Sequence, residues 1–315
     1  MNKELLKIAK EIRDIISQKQ KEMELTFVED THTYYIKNKK GVITTGFPSV
    51  STVISQFYTP FPDIEKSYDM SEGNILEQDK LLYEWRQSAD YANNQGSRVH
   101  YMLETKLLEQ YGSYKEVRQP IFECNEEQLK NSDTMIESGL KFIELMHNRG
   151  AVLLDTEMVL GSVDLGYTGQ PDKVWLIFDK DGVLGFIVTD WKTNKPKNFE
   201  IQPYTEMMLR PFQDYHDTAL SHYMIQLPLY ARLLLDMLKG TKYEDIKFLG
   251  CVIVHLMDDG QWKEYRIPRK FIDIVLTMDP LPRIEHVKEY KKLQEYKELE
   301  RQRKLDLYLY GFHDD

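Results

Sequence analysis

Cysteine is scarce in this chain: only Cys124 and Cys251 occur among 315 residues. Two thiols so far apart in sequence give no disulfide framework. They also cannot supply an all-cysteine zinc site or an iron–sulfur cluster. Any metal must be held by oxygen and imidazole. Cys251 lies inside the apolar run FLGCVIVHL and is expected in the core. Long apolar runs are missing too, since none approaches the roughly 18 consecutive apolar residues of a membrane helix. No membrane partner is expected. The opening residues, MNKELLKIAKEIRDIISQKQKEMEL, mix acids and bases and lack the apolar centre of a signal peptide. They predict an amphipathic helix and a cytoplasmic address.

Positive charge is also in deficit. With 41 Lys and Arg against 51 Asp and Glu, the net charge is −10. That excludes a wide, sequence-blind grip on nucleic acid through many phosphate contacts. It does not exclude chemistry on phosphates. Carboxylates that hold a cation make a site acidic, and the bound ion then presents positive charge. No internal repeat or low-complexity linker is found, so the simplest organisation is one domain with helical extensions.

The remaining composition, 42% hydrophobic and 29% charged, is that of a globular protein. Alternating apolar and β-branched residues over about 25–57, with a turn at Asn38 to Gly41, predict a small hairpin, and Pro48-Ser49 predict the start of a helix. Residues 58–75 hold Pro60, Pro62 and Gly73 and read as an irregular connection. Helices are expected at about 76–112 and 125–149. From Ala151 the pattern turns to β, with AVLLDTEMVL, then GYTGQPDKVWLIFD, a turn at Lys180-Asp181-Gly182, and VLGFIVTDW. An exposed loop (194–216), a helix (217–239), the strand KFLGCVIVHL, a hairpin at Asp259-Gly260 and a mixed-charge helix (282–310) complete the chain. That last helix reads as exposed, with an oligomerisation arm as the other reading.

Asp190-Trp191-Lys192 ends the strand GFIVTD. Side chains alternate along a strand, so Asp190 and Lys192 share a side. Asp172 and Asp190 stand eight residues on either side of the Lys180 to Gly182 turn, which predicts neighbours across the ladder. Facing carboxylates repel unless something compensates, and a magnesium ion is a natural compensator. The plainer reading has Asp172 cap a turn after Pro171 while Lys192 neutralises Asp190. His100 and Glu104, four apart on a predicted helix, share a face, and imidazole is an acceptable ligand for manganese. His147, His216, His286 and His313 carry no such signal. His222, Gln226 and Tyr230 fall on one helical face, where Gln226 and Tyr230 could bind a phosphate or base or satisfy nearby backbone groups. Lys192, Lys195 and Lys197 are candidates for guiding a strand, whereas Arg266, Arg269 and Lys270 read as solvated surface.

The ordered set G-x-x-x-H (Gly96 to His100), G-Q-P-D (Gly169 to Asp172), D-W-K-T (Asp190 to Thr193) and Q-x-x-x-Y (Gln226 to Tyr230) resembles the RecB-type branch of the PD-(D/E)XK nuclease superfamily. The match runs from about residue 90 to 256. His32-Thr33-Tyr34 and Pro48-Ser49-Val50 are similar to the lead of phage-encoded members. The resemblance implies an α/β fold with a restriction-endonuclease-like core, a mixed central sheet flanked by helices, and helical extensions at both ends. It implies a lead-in over 1–89, a nuclease core over 90–270 and a charged helical extension over 271–315. It further implies hydrolysis of DNA with Mg2+ or Mn2+, in phage or bacterial DNA processing, recombination or repair, an exonuclease being favoured. Ligands would be His100, Asp172, Asp190 and the Trp191 carbonyl, with Lys192 acting on the attacking water. Gln226 and Tyr230 would order the site; Glu157, on the strand before the hairpin, Glu104 and Thr193 are further candidates. A helicase, a recombination protein or further copies of the chain would be its associates. Several relatives carry four cysteines for an iron–sulfur cluster, which this chain lacks. The rival reading is a nucleic-acid-binding or assembly protein that uses the same scaffold without catalysis.

Overall fold

In the computed structural model, residues 2–200 and 206–311 are described. The first helix, α1 (Lys3–Glu22), forms where Leu5, Ala9, Ile12 and Ile16 make one apolar stripe, all four buried. A small antiparallel sheet follows, of β1 (Thr26–Val28), β2 (Thr33–Lys37) and β3 (Ile43–Thr44) in that order. Gly41 takes the left-handed conformation in the β2–β3 turn (φ +76°). Ser49 caps α2 (Val50–Ile54) by accepting from the Thr52 N–H. The connection expected to be irregular instead contains a helix, α3 (Asp63–Met70). Pro60 and Pro62 interrupt the chain only up to Asp63, after which Asp63 and Glu65 favour a helix N-terminus.

The long helices are α4 (Ile75–Gln110) and α5 (Glu126–Asn148). Asn74 caps the first, and Asn125 with Gln128 forms a reciprocal capping box on the second. Then come β4 (Val152–Thr156), β5 (Leu160–Ser162), β6 (Tyr167–Gly169), β7 (Lys173–Phe178) and β8 (Leu184–Lys192). The chain continues through α6 (Ala219–Leu238), β9 (Lys247–Leu256), β10 (Trp262–Arg266), α7 (Arg269–Thr277) and α8 (Ile284–Tyr310).

This is an α/β architecture with a mixed sheet. Five strands lie in the order β10-β9-β8-β7-β4, and β5 and β6 pair separately. Among the described strands of this sheet, β8 and β9 pair in parallel, joined by the crossover helix α6, and the other pairs are antiparallel. Strand alternation sorts apolar side chains to two faces. Val174, Leu176, Phe186, Val188, Cys251 and Ile253 pack with α1, α2, α6 and α7. Trp175, Trp191 and Val254 pack with α4 and α5 on the other face. Two hydrophobic layers around one sheet make α–β–α sandwich packing.

Two further placements matter. The segment expected as an exposed loop (194–216) has Phe199, Met208 and Phe212 buried. Apolar anchors tie its ends to the core; residues 201–205 lie outside the described residues. Residue 89 falls inside α4, so the lead-in and core share a helix. Among the described residues no helix is long and apolar enough to cross a membrane.

Candidate metal centre

The β7–β8 hairpin turns at Gly182, whose φ is +74°. Its register pairs Lys173 with Thr189, which sets Asp172 beside Asp190 at the open end. Asp172 Oδ2 accepts from the Trp191 N–H at 3.3 Å. Asp190 and Lys192 share the α6 face, and Lys192 Nζ meets Asp190 Oδ2 at 2.7 Å. The ammonium also lies 4.1 Å from the centre of the Tyr223 ring.

His100 comes from α4. Its Nδ1 is 3.1 Å from Asp172 Oδ2 and its Nε2 is 3.0 Å from the Trp191 carbonyl oxygen. Close approach of helix and strand depends on Gly96, where an added Cβ would stand 3.2 Å from Thr193 Oγ1. Glu157 completes the group. His100, Glu157 and Asp172 offer ligand atoms all within 4.8 Å of one another. Glu157 lies one residue beyond β4 rather than on a strand, in the left-handed region (φ 40°). The Glu157 N–H donates to the Asp172 carbonyl oxygen at 3.1 Å, which holds this conformation.

Electrostatics follow from burial. Asp190 is 2% exposed. Burial, and then the neighbouring Asp172, pushes its carboxyl well above the ordinary range against the pull of Lys192. For Asp172, burial acts upward too, but His100 and Lys173 outweigh it and hold the carboxyl well below its usual value. Glu157 is raised by burial and by Asp172 and Glu104. Lys192 resists the downward effect of burial because Asp190 and Asp172 stabilise its charge, so it stays an ammonium. Asp190 Oδ1 and Gln226 Oε1 are buried without a hydrogen-bond partner among the described residues. Orphaned acceptors beside clustered carboxylates have lone pairs open to a cation or a water. The donor set is carboxylate, carbonyl and one imidazole, which suits magnesium or manganese.

On α6, Gln226 Nε2 donates to Tyr230 Oη at 3.0 Å. Tyr230 packs where Gly169 has no side chain, since a Cβ there would stand 2.7 Å from Tyr230 Cε1. His222 turns away from the centre to Asp217, 2.6 Å distant. Glu104 accepts from Thr156 Oγ1 at 2.6 Å and lines the cleft beside His100. Lys195 and Lys197 are exposed, whereas Lys192 is committed to the centre. Arg266 and Arg269 pair with Glu264 and Asp273. Of the histidines without a site signal, His147 bonds Tyr111 and His286 stands beside Glu289; His313 lies outside the described residues.

Sequence reading missed three contributors. Lys173, 3% exposed, lies 3.6 Å from Asp172 and 4.5 Å from the Trp191 ring centre. A lysine opening an apolar strand was the available signal. Lys115, between α4 and α5, reaches Asp155 at 3.3 Å and donates to the Thr156 carbonyl. Its neighbour Tyr114 donates to Asp155 at 2.8 Å and carries the Arg13 guanidinium over its ring. Third, β1, β2 and the turn between them supply Phe27, Glu29, His32 and Tyr34 to the cleft, which has a volume of about 700 Å³. No local sequence feature tied those strands to residue 190.

No protein-family model matches this chain, and comparison with curated proteins gives no significant match.

Proposed function

We propose that this chain is a metal-dependent nuclease that hydrolyses DNA phosphodiester bonds. One observation carries the reading: His100, Asp172 and the Trp191 carbonyl meet within hydrogen-bond distance at the end of β8, with Asp190, Glu157 and Lys192 around them. The five-stranded order with one parallel pair supports a restriction-endonuclease-like core around that end. His100, Asp172, Asp190, Glu157 and the Trp191 carbonyl would hold the ion. When bound, magnesium or manganese supplies positive charge for a scissile phosphate and acidifies water.

The chain's own residues do the rest. Lys192 keeps its proton and offers an ammonium at the cleft floor, where negative charge develops on the phosphate. Asp190 orients that ammonium. Gln226 and Tyr230 brace the floor from α6. The test is a panel of linear, circular and single-stranded DNA with magnesium, manganese or chelator. Asp190→Ala should lower cleavage on the order of 10³-fold or more, with the circular dichroism spectrum unchanged. Cleavage by that variant at the wild-type rate would overturn the assignment.

A further inference from the structure

The cleft is short of cations that could hold a phosphate chain. Among the described residues Arg118 and Lys192 line it; Lys192, paired with Asp190, serves the scissile phosphate alone, and Arg118 is committed to Asp30 at 2.7 Å and Glu29 at 3.6 Å. Glu29 itself lines the wall built by the N-terminal sheet, so that wall repels phosphate. Rings dominate there instead. Phe27 is half-buried and belongs to neither apolar core. Its ring centre lies 4.6 Å from that of Tyr34 and 5.4 Å from that of His32. An aromatic residue that contributes to no core yet lines a polar cleft is suited to stacking, and unpaired bases present flat faces to aromatic side chains. The volume of about 700 Å³ falls in the range of small-molecule sites, roughly 300–1,000 Å³, room for a nucleotide or two.

We propose that Phe27, backed by Tyr34, stacks a nucleobase, so that the cleft prefers an unpaired DNA strand to a duplex. The proposal rests on the nuclease reading for its substrate. The backbone of the strand runs on the carboxylate side, and the base turns toward β1 and β2. The bridge from Arg118 to Glu29 and Asp30 ties this wall to the segment between α4 and α5, which fixes the ring relative to His100.

The experiment measures binding of a short single-stranded oligonucleotide carrying 2-aminopurine near one end, and of the same sequence as a blunt duplex, with calcium replacing magnesium. Wild-type protein should quench the fluorophore and prefer the single strand, with a shallow salt dependence. Phe27→Ala and Phe27→Leu should weaken single-strand binding on the order of ten-fold, while Phe27→Trp retains it. The leucine variant keeps apolar bulk without a stacking face, so its loss separates stacking from folding. Equal single-strand affinity in wild type and Phe27→Leu, or equal affinity for duplex, overturns the proposal. Cleavage with magnesium is scored in parallel. A wild type that cuts DNA while Phe27→Leu binds normally leaves the nuclease reading standing alone. Phe27-dependent quenching without cleavage leaves the stacking site and removes the nuclease. Absence of all DNA binding removes both.

Discussion

Asp190 and Lys192 stand two apart on one strand, and their meaning comes from what surrounds them. The same acid–x–lysine spelling at Glu289/Lys291 lies on the exposed helix α8. Only at 190 does a hairpin of known turn bring a second carboxylate alongside, and that could be counted from the Lys180 to Gly182 turn. The role of Gly169 could not be counted. A methyl group there would meet Tyr230 Cε1 and Val50 Cγ2, each at 2.7 Å. Gly169→Ala should therefore cost about 1–3 kcal/mol of stability through overpacking. It should also reduce cleavage by displacing Tyr230. Denaturant unfolding and metal-dependent cleavage measure the two effects, and an unchanged unfolding midpoint would contradict the packing argument.

At the scale of elements, α4 decides where His100 sits, and α5 decides where α4 sits. Gly139 on α5 lets Leu103 approach so closely that a Cβ would stand 2.5 Å from Leu103 Cδ1. Leu103 is fully buried three residues from His100. Leu103→Ala should destabilise the protein by about 2–5 kcal/mol and weaken manganese binding, because the helix that carries the imidazole loses its anchor. A loss of stability with unchanged manganese affinity would show that His100 is positioned by the sheet alone. The capping box gives a smaller, cleaner test. Asn125→Ala removes the acceptor for the Gln128 N–H, and denaturant unfolding should show a loss of about 1 kcal/mol.

For the whole molecule, metal and protons should both register in stability. An ion that binds only the folded chain adds about 2.7 kcal/mol at one hundred times its dissociation constant. Manganese should thus raise the unfolding temperature, and chelator should reverse the rise. Exchanging His100 for alanine should abolish it. Protons act through His147, His222 and His255, whose pKa values burial depresses below 6.5. Each is held neutral in the fold, while the unfolded chain protonates near 6.5. Their contribution is present above that pH and is lost as pH falls through the depressed folded values. The urea-midpoint advantage of wild type over His147→Gln should therefore shrink on acidification below about pH 6.5, while the raised carboxyls of Asp190 and Glu157 act in the opposite direction in both proteins. A difference unchanged down to pH 5 would contradict this.

Periodicity and turn chemistry made much of the molecule readable in one dimension. The apolar stripe of α1, the helix start at Ser49, the Gly182 turn and the alternation of β8 are local, since each depends on residues within a few positions. From them the strands around the candidate site and the pairing of Asp172 with Asp190 could be laid out. Helix α3 escaped because its prolines stop one residue short of it, and the buried anchors of the 194–216 segment escaped because their partners lie elsewhere in the chain. The meeting of His100, Glu157 and Lys173 with the hairpin end was settled only by tertiary packing. So was the aromatic wall contributed by β1 and β2. Those groups are separated by tens of residues, and their distances depend on how helices seat against the two faces of the sheet, which side-chain volume determines and local pattern does not.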